Sequence, residues 1–192
     1  MTNPVDVLTT VMKRSFPEMN IYGLGCSLDT LRFKYFLAQA CGVARQCISG
    51  LVISAHNDKM LPLTRYASIA SIPIIELLTE HQIRQVVHKT RTAGHFIVNR
   101  FKTKGSFVAA SVVIADIIES MLHDLNLIFS LNVYCRGQYG IEDCCVSLPV
   151  VVGYGGIKRI LEINLNDKEK RDLAVAVETI ETVANQYTLL KI

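Results

Sequence analysis

Three β-rich runs late in the chain constrain its fold more than any other feature: IFSLNVYC (128–135), DCCVSLPVVVG (143–153) and IKRILEINL (157–165). Short glycine-containing turns, GQYG (137–140) and GYGG (153–156), join them. Turns this short leave no room for a crossover, so consecutive runs must pair antiparallel, as in a meander. Alternation along the middle run sends the adjacent Cys144 and Cys145 to opposite faces of the sheet.

The rest of the chain reads mostly as helix. Val5–Arg14 follows Asn3-Pro4, with proline acceptable at a helix start, and Phe16-Pro17 ends the pattern. Ser27–Cys41 is a second helix with Ser27 as its expected N-cap. Thr79–Phe101 is amphipathic, with Ile83, Val86, Val87, Ile97 and Val98 on a helical period. Phe107–Leu125 is apolar enough to read as a buried helix. A last helix starts at Asn166-Asp167 and runs to about Leu190, burying a stripe of Leu173, Val177, Ile180 and Val183-Ala184. Short strands are expected in NIYGLG (20–25) and over Ser49–Ala55. Helices first and an antiparallel sheet later give an α+β fold, long helices packed on the sheet. With no linker, repeat or low-complexity tract in 192 residues, a single domain over 1–192 is expected.

Half of the residues are hydrophobic and the mean hydropathy is +0.30, high for such a domain. No run reaches the eighteen or so apolar residues of a spanning helix, so no membrane partner is expected. The excess apolarity points instead to surface covered by another body. A net charge of +3, evenly spread, argues against nucleic acid. Six cysteines without a CxxC pair fit reduced thiols, and MTNPVDVLTT lacks the features of a signal peptide, so a cytoplasmic protein is expected. His81, His88 and His95 recur every seven residues, about 10.5 Å of helical rise, too far to share one ion. No metal is expected.

Chemistry concentrates in GCSLDTLRFKYFLA (25–38) and LVISAHNDKMLP (51–62). Asp29 and Arg32, three apart, share a helix face; taken alone they are a surface pair worth about 0–1 kcal/mol. His56, taken alone, is a strand-end histidine with Asn57-Asp58 as the turn behind it. If the two segments meet, Asp29 can orient the imidazole and stabilise its protonated form, while Arg32 grips a carboxylate through two parallel hydrogen bonds.

NPVD (3–6), LDTLRF (28–33), HNDKMLP (56–62), ADIIES (115–120) and GQYGIED (137–143) resemble, in order, the C-terminal, substrate-binding half of NAD-dependent malate and lactate dehydrogenases. MLPLTRYASIASIPI (60–74) is closer to the bacterial malate dehydrogenase pattern. The resemblance implies that His56 is the proton acceptor and donor, that Asp29 orients it, that Arg32 binds the C1 carboxylate, and that Asn3 hydrogen-bonds the substrate. It implies NAD as cofactor and malate or oxaloacetate as substrate. It also implies a homo-oligomer or a separate Rossmann half as partner. No G-x-G-x-x-G occurs in the chain, so it is expected to be inactive alone. The alternative is a non-catalytic module that binds a dicarboxylate or drives oligomerisation. Around the histidine, Ser54, Ala55, Asn57 and Lys59 replace the family's glycines and small residues. Asn57 is expected to supply a positive φ there, and Lys59 to disfavour protonated His56.

Overall fold

The computed structural model describes residues 4–102 and 107–187. In chain order the elements are helices α1 (Pro4–Ser15) and α2 (Ser27–Cys41), then short strands β1 (Ile48–Ser49), β2 (Val52–Ile53), β3 (Leu61–Pro62), β4 (Ser68–Ile69) and β5 (Ile72–Pro73). Helices α3 (Ile74–Leu77), α4 (Glu80–Phe101) and α5 (Phe107–Leu122) follow. Strands β6 (Leu127–Arg136), β7 (Glu142–Gly153) and β8 (Gly156–Ile160) precede the last helix, α6 (Asp167–Ala184). The fold is α+β, and among the described residues every strand pairing is antiparallel.

The meander is the order β6-β7-β8, with Leu131 opposite Leu148 and Val133 opposite Val146. Every β7 residue from Cys144 to Val150 is buried, so both faces of this central strand are covered. Cys144 and Cys145 are therefore both core residues. Leu131, Leu148 and Val150 meet Val7 and Val11 of α1 and Leu173, Val177 and Ile180 of α6 in one cluster. A second cluster, built on Phe33 and Leu37 of α2, takes in Ile48, Val52, Met60, Ile74 and Val86.

Several local expectations give way to specific contacts. NIYGLG forms no strand; only Gly23 bridges Asn132 of β6, because the segment is spent approaching the sheet edge-on. The expected strand Ser49–Ala55 is broken into β1 and β2 at Gly50, where a Cβ would lie 3.2 Å from the Phe33 ring. The N-cap of α2 is Cys26; Ser27 is already helical and donates its hydroxyl to Ser130 O at 2.9 Å. Helix α4 is capped by Thr79, which forms a capping box with Gln82. Its second half exposes Val98.

The largest departure is α5, which is not a buried helix. Only Val113, Ile117 and Ser120 are buried, whereas Phe107, Val108, Val112, Ile114, Ile118 and Leu122 are exposed. Mean apolarity signals burial but not by which chain, and α5 packs one narrow face on β7. The final helix starts at its Asn166–Glu169 capping box and ends at Ala184, short of Leu190, which lies outside the described residues.

Candidate functional site

The start of α2 is pressed onto the meander. Gly25 adopts φ +56°, and a Cβ there would come within 2.5 Å of the Asn132 nitrogen, so only glycine allows this approach. Cys26 N donates to Ser147 Oγ at 3.2 Å. Asp29 falls in the first turn of α2, where the helix dipole favours a carboxylate, and its side chain is fully buried.

The loop after β2 brings His56 to the same place. Ser54 exchanges two hydrogen bonds of 2.8 Å with Ser147 of β7, fixing the loop's root on the sheet. The chain then turns: Asn57 N donates to Ala55 O, and Asn57 Oδ1 accepts from Lys59 N at 2.7 Å. The positive φ falls on Ser54, at +82°, and not on Asn57, which closes the turn with its side chain instead.

Asp29 holds two partners at once. Its Oδ1 accepts from Arg32 Nη1 at 3.0 Å, and its Oδ2 is hydrogen-bonded to His56 Nδ1. The ring nitrogen turned away from Asp29 is Nε2, on the side of a cleft of about 860 Å³ that His56, Arg32 and Asn57 line together. Arg91, Gly94 and His95 of α4 form the opposite wall. Arg91 is anchored by Nε and Nη2 donating to Met60 O at 3.2 and 3.0 Å. Gly94 faces the Arg32 guanidinium, and a Cβ there would lie at an ordinary contact distance of 3.6 Å from it.

The electrostatics favour a protonated imidazole. Burial pulls the His56 pKa down, but the hydrogen bond and charge of Asp29, with the charge of Asp6, outweigh it and leave the pKa raised. The cation opposing this is Arg32, not Lys59, and the cleft wall runs through Asn57, Asp58 and Met60 without Lys59. Asp6 is a second fully buried carboxylate: Oδ2 accepts from His56 N at 3.0 Å and Oδ1 from Asn132 Nδ2 at 2.6 Å. Burial raises its pKa to about 6, against those hydrogen bonds.

Of the residues singled out in the sequence, His56, Asp29 and Arg32 come together, and Asn3 lies outside the described residues. Asp6 and Arg91 were not singled out. Asp6 stood inside NPVD, yet an acidic residue in a first helical turn reads as an ordinary dipole partner. His81 and His88 are exposed, and His95 is exposed at the cleft mouth. Among the described residues no group of three or more His, Cys, Asp or Glu could hold a metal ion, and no helix is long and apolar enough to cross a membrane.

This fold and this cleft have relatives. The family model for the alpha/beta C-terminal domain of lactate/malate dehydrogenase matches residues 26–188, and the chain belongs to that family. Among curated proteins, it is 37% identical over 193 residues to a malate dehydrogenase of Pelodictyon phaeoclathratiforme, covering 99% of this chain and 62% of that protein. Malate dehydrogenase 1 of Anaeromyxobacter dehalogenans is 36% identical over 183 residues, covering 94% and 59%. Among solved structures, the malate dehydrogenase of Aeropyrum pernix superposes with a TM-score of 0.90 at 30% identity, covering 97% of this chain and 63% of that one. The lactate dehydrogenase of Eimeria maxima, solved with NADH and oxamate, gives a TM-score of 0.89 at 30% identity over 97% and 60%. The chain thus spans about three fifths of the length of these relatives.

Proposed function

We propose that this chain is the substrate-binding and proton-transfer part of a malate dehydrogenase-like oxidoreductase that interconverts malate and oxaloacetate with NAD. The observation that carries the reading is the shared carboxylate of Asp29, which joins Arg32 and His56 on the floor of one cleft. Arg32 holds a substrate carboxylate through its guanidinium fork. His56 then presents Nε2 to the C2 oxygen, giving a proton when the keto group is reduced and taking one from the hydroxyl when it is oxidised. Asp29 fixes the Nδ1–H tautomer and favours the imidazolium. The oxamate and NADH of the Eimeria maxima structure support a carboxylate ligand and a nicotinamide in a fold of this kind.

The described residues contain no glycine-rich βαβ turn, and with every strand pair antiparallel they make no dinucleotide cradle. On this reading the described residues hold the carboxylate and carry the proton. Alone, the chain gives no oxaloacetate-dependent NADH oxidation; supplied with a dinucleotide-binding half, it gives turnover that His56→Ala removes. Robust turnover by the pure chain would overturn the need for that half. The exposed apolar face of α5 favours a second reading, an oligomerisation or dicarboxylate-binding module. In that case ligand binding persists and the added half restores no activity.

A further inference from the structure

The histidine loop is fastened from beneath by a group that neither contacts the substrate cleft nor belongs to the Asp29 pair. We propose that Asp6 is a positioning residue for His56, its two carboxylate oxygens clamping the His56 main-chain N–H and the Asn132 side-chain amide so that the imidazole is presented to the cleft from a fixed root. The inference rests on the reading of His56 as the proton carrier.

Three elements meet at this carboxylate. Asp6 belongs to α1, His56 to the loop after β2, and Asn132 to β6. The hold on α1 is itself secured, because Thr10 Oγ1 donates to Asp6 O at 2.9 Å while accepting from Cys145 N of β7 at 3.0 Å. A loop N–H at the edge of a cleft could be satisfied by water. Here it is given a fully buried carboxylate, an expensive choice unless the anion matters. Of the charged groups around His56, Asp29 and Arg32 come from α2 and Asp6 from α1; Asp58 of its own loop and Arg91 and His95 of α4 line the cleft beside it. Asp6 and Asp29 are the anions acting on the imidazole, Asp29 at the ring and Asp6 at the main chain.

The neighbours permit a clean separation of place from charge. Asn132 Oδ1 is buried without a partner among the described residues. In Asp6→Asn, the new Oδ1 can keep the His56 N–H while its amide donates to a reoriented Asn132, so the clamp survives and the charge goes. Asp6→Ala removes both. NMR of the full chain, with neither substrate nor cofactor, reads the outcome. The wild-type His56 amide exchanges as slowly as strand amides. Exchange stays slow in Asp6→Asn while the imidazole pKa falls by roughly one unit. In Asp6→Ala the amide exchanges at least tenfold faster. A fast-exchanging wild-type amide overturns the clamp even if no variant folds. An unchanged imidazole titration in a folded Asp6→Asn chain reduces Asp6 to a structural anchor and also overturns the proposal. Malate titrated into the same samples keeps the two ideas apart: absent binding sinks the substrate reading and leaves the His56 measurements standing.

Discussion

The two walls of the cleft are built on opposite principles. On the His56 side, Asp6, Asp29 and Asn132 are fully buried, bonded to one another's neighbours and rooted on β6 and β7. On the far side, the second half of α4 and the start of α5 offer Val98, 49% exposed, and Phe107, 74% exposed. Among the described residues, one side is polar and buried, and the other presents exposed apolar side chains. The difference teaches that the Asp29–Arg32–His56 constellation is held by buried hydrogen bonds within this chain, while the described α4–α5 side is held by few.

Truncations in the two regions test the contrast most strongly. Leu131→Ala, in the buried core of the sheet, should cost about 2–5 kcal/mol by denaturant unfolding, whereas Ile118→Ala on the exposed face of α5 should stay within about 0.5 kcal/mol. Equal costs would mean that α5 is packed as tightly as the sheet.

Buried charge should also leave a pH signature confined to the polar wall. The folded pKa of Asp6, about 6, lies above its ordinary value of 3.8. Stability associated with its protonated form is therefore fully present below about pH 4 and is lost as pH rises to about 6. The loss is about 3 kcal/mol. His56, with its pKa raised above 6.5, loses its contribution only above that window. Asp6→Asn should flatten the pH 4–6 slope in urea unfolding; an unchanged slope would place the effect elsewhere.

The smallest gain should come from Ser54→Gly. Ser54 holds φ +82° with its hydroxyl buried and unpartnered among the described residues. Glycine relieves both penalties and should stabilise the chain by about 1 kcal/mol, read as a higher Tm. A destabilised variant would show that the hydroxyl is satisfied.

How much of this was legible depended on the range of the interaction. The meander could be read because glycine turns and β-branched runs are local; the bounds of α2 could be read too, but not its cap, because the Ser27 hydroxyl is engaged by Ser130, 103 residues away. Asp29 and Arg32 could be paired from their spacing alone. Asp6 could not be given a role, since its partners His56 and Asn132 lie 50 and 126 residues away. The strained φ was expected at Asn57 because asparagine tolerates it, but it falls on Ser54, the residue bridged to Ser147, two residues before the histidine. The burial of α5 was overread because hydropathy reports an apolar face without reporting what covers it.

The central claim, a proposal, is that Arg32 and His56 serve one bound substrate, Arg32 at its carboxylate and His56 at its C2 oxygen. Titrating malate into the isolated chain while following the His56 imidazole by NMR tests it directly. The account predicts saturable shifts of the His56 ring resonances and a loss of affinity of about 100-fold in Arg32→Ala. Resonances that ignore malate, or binding indifferent to Arg32, would contradict it.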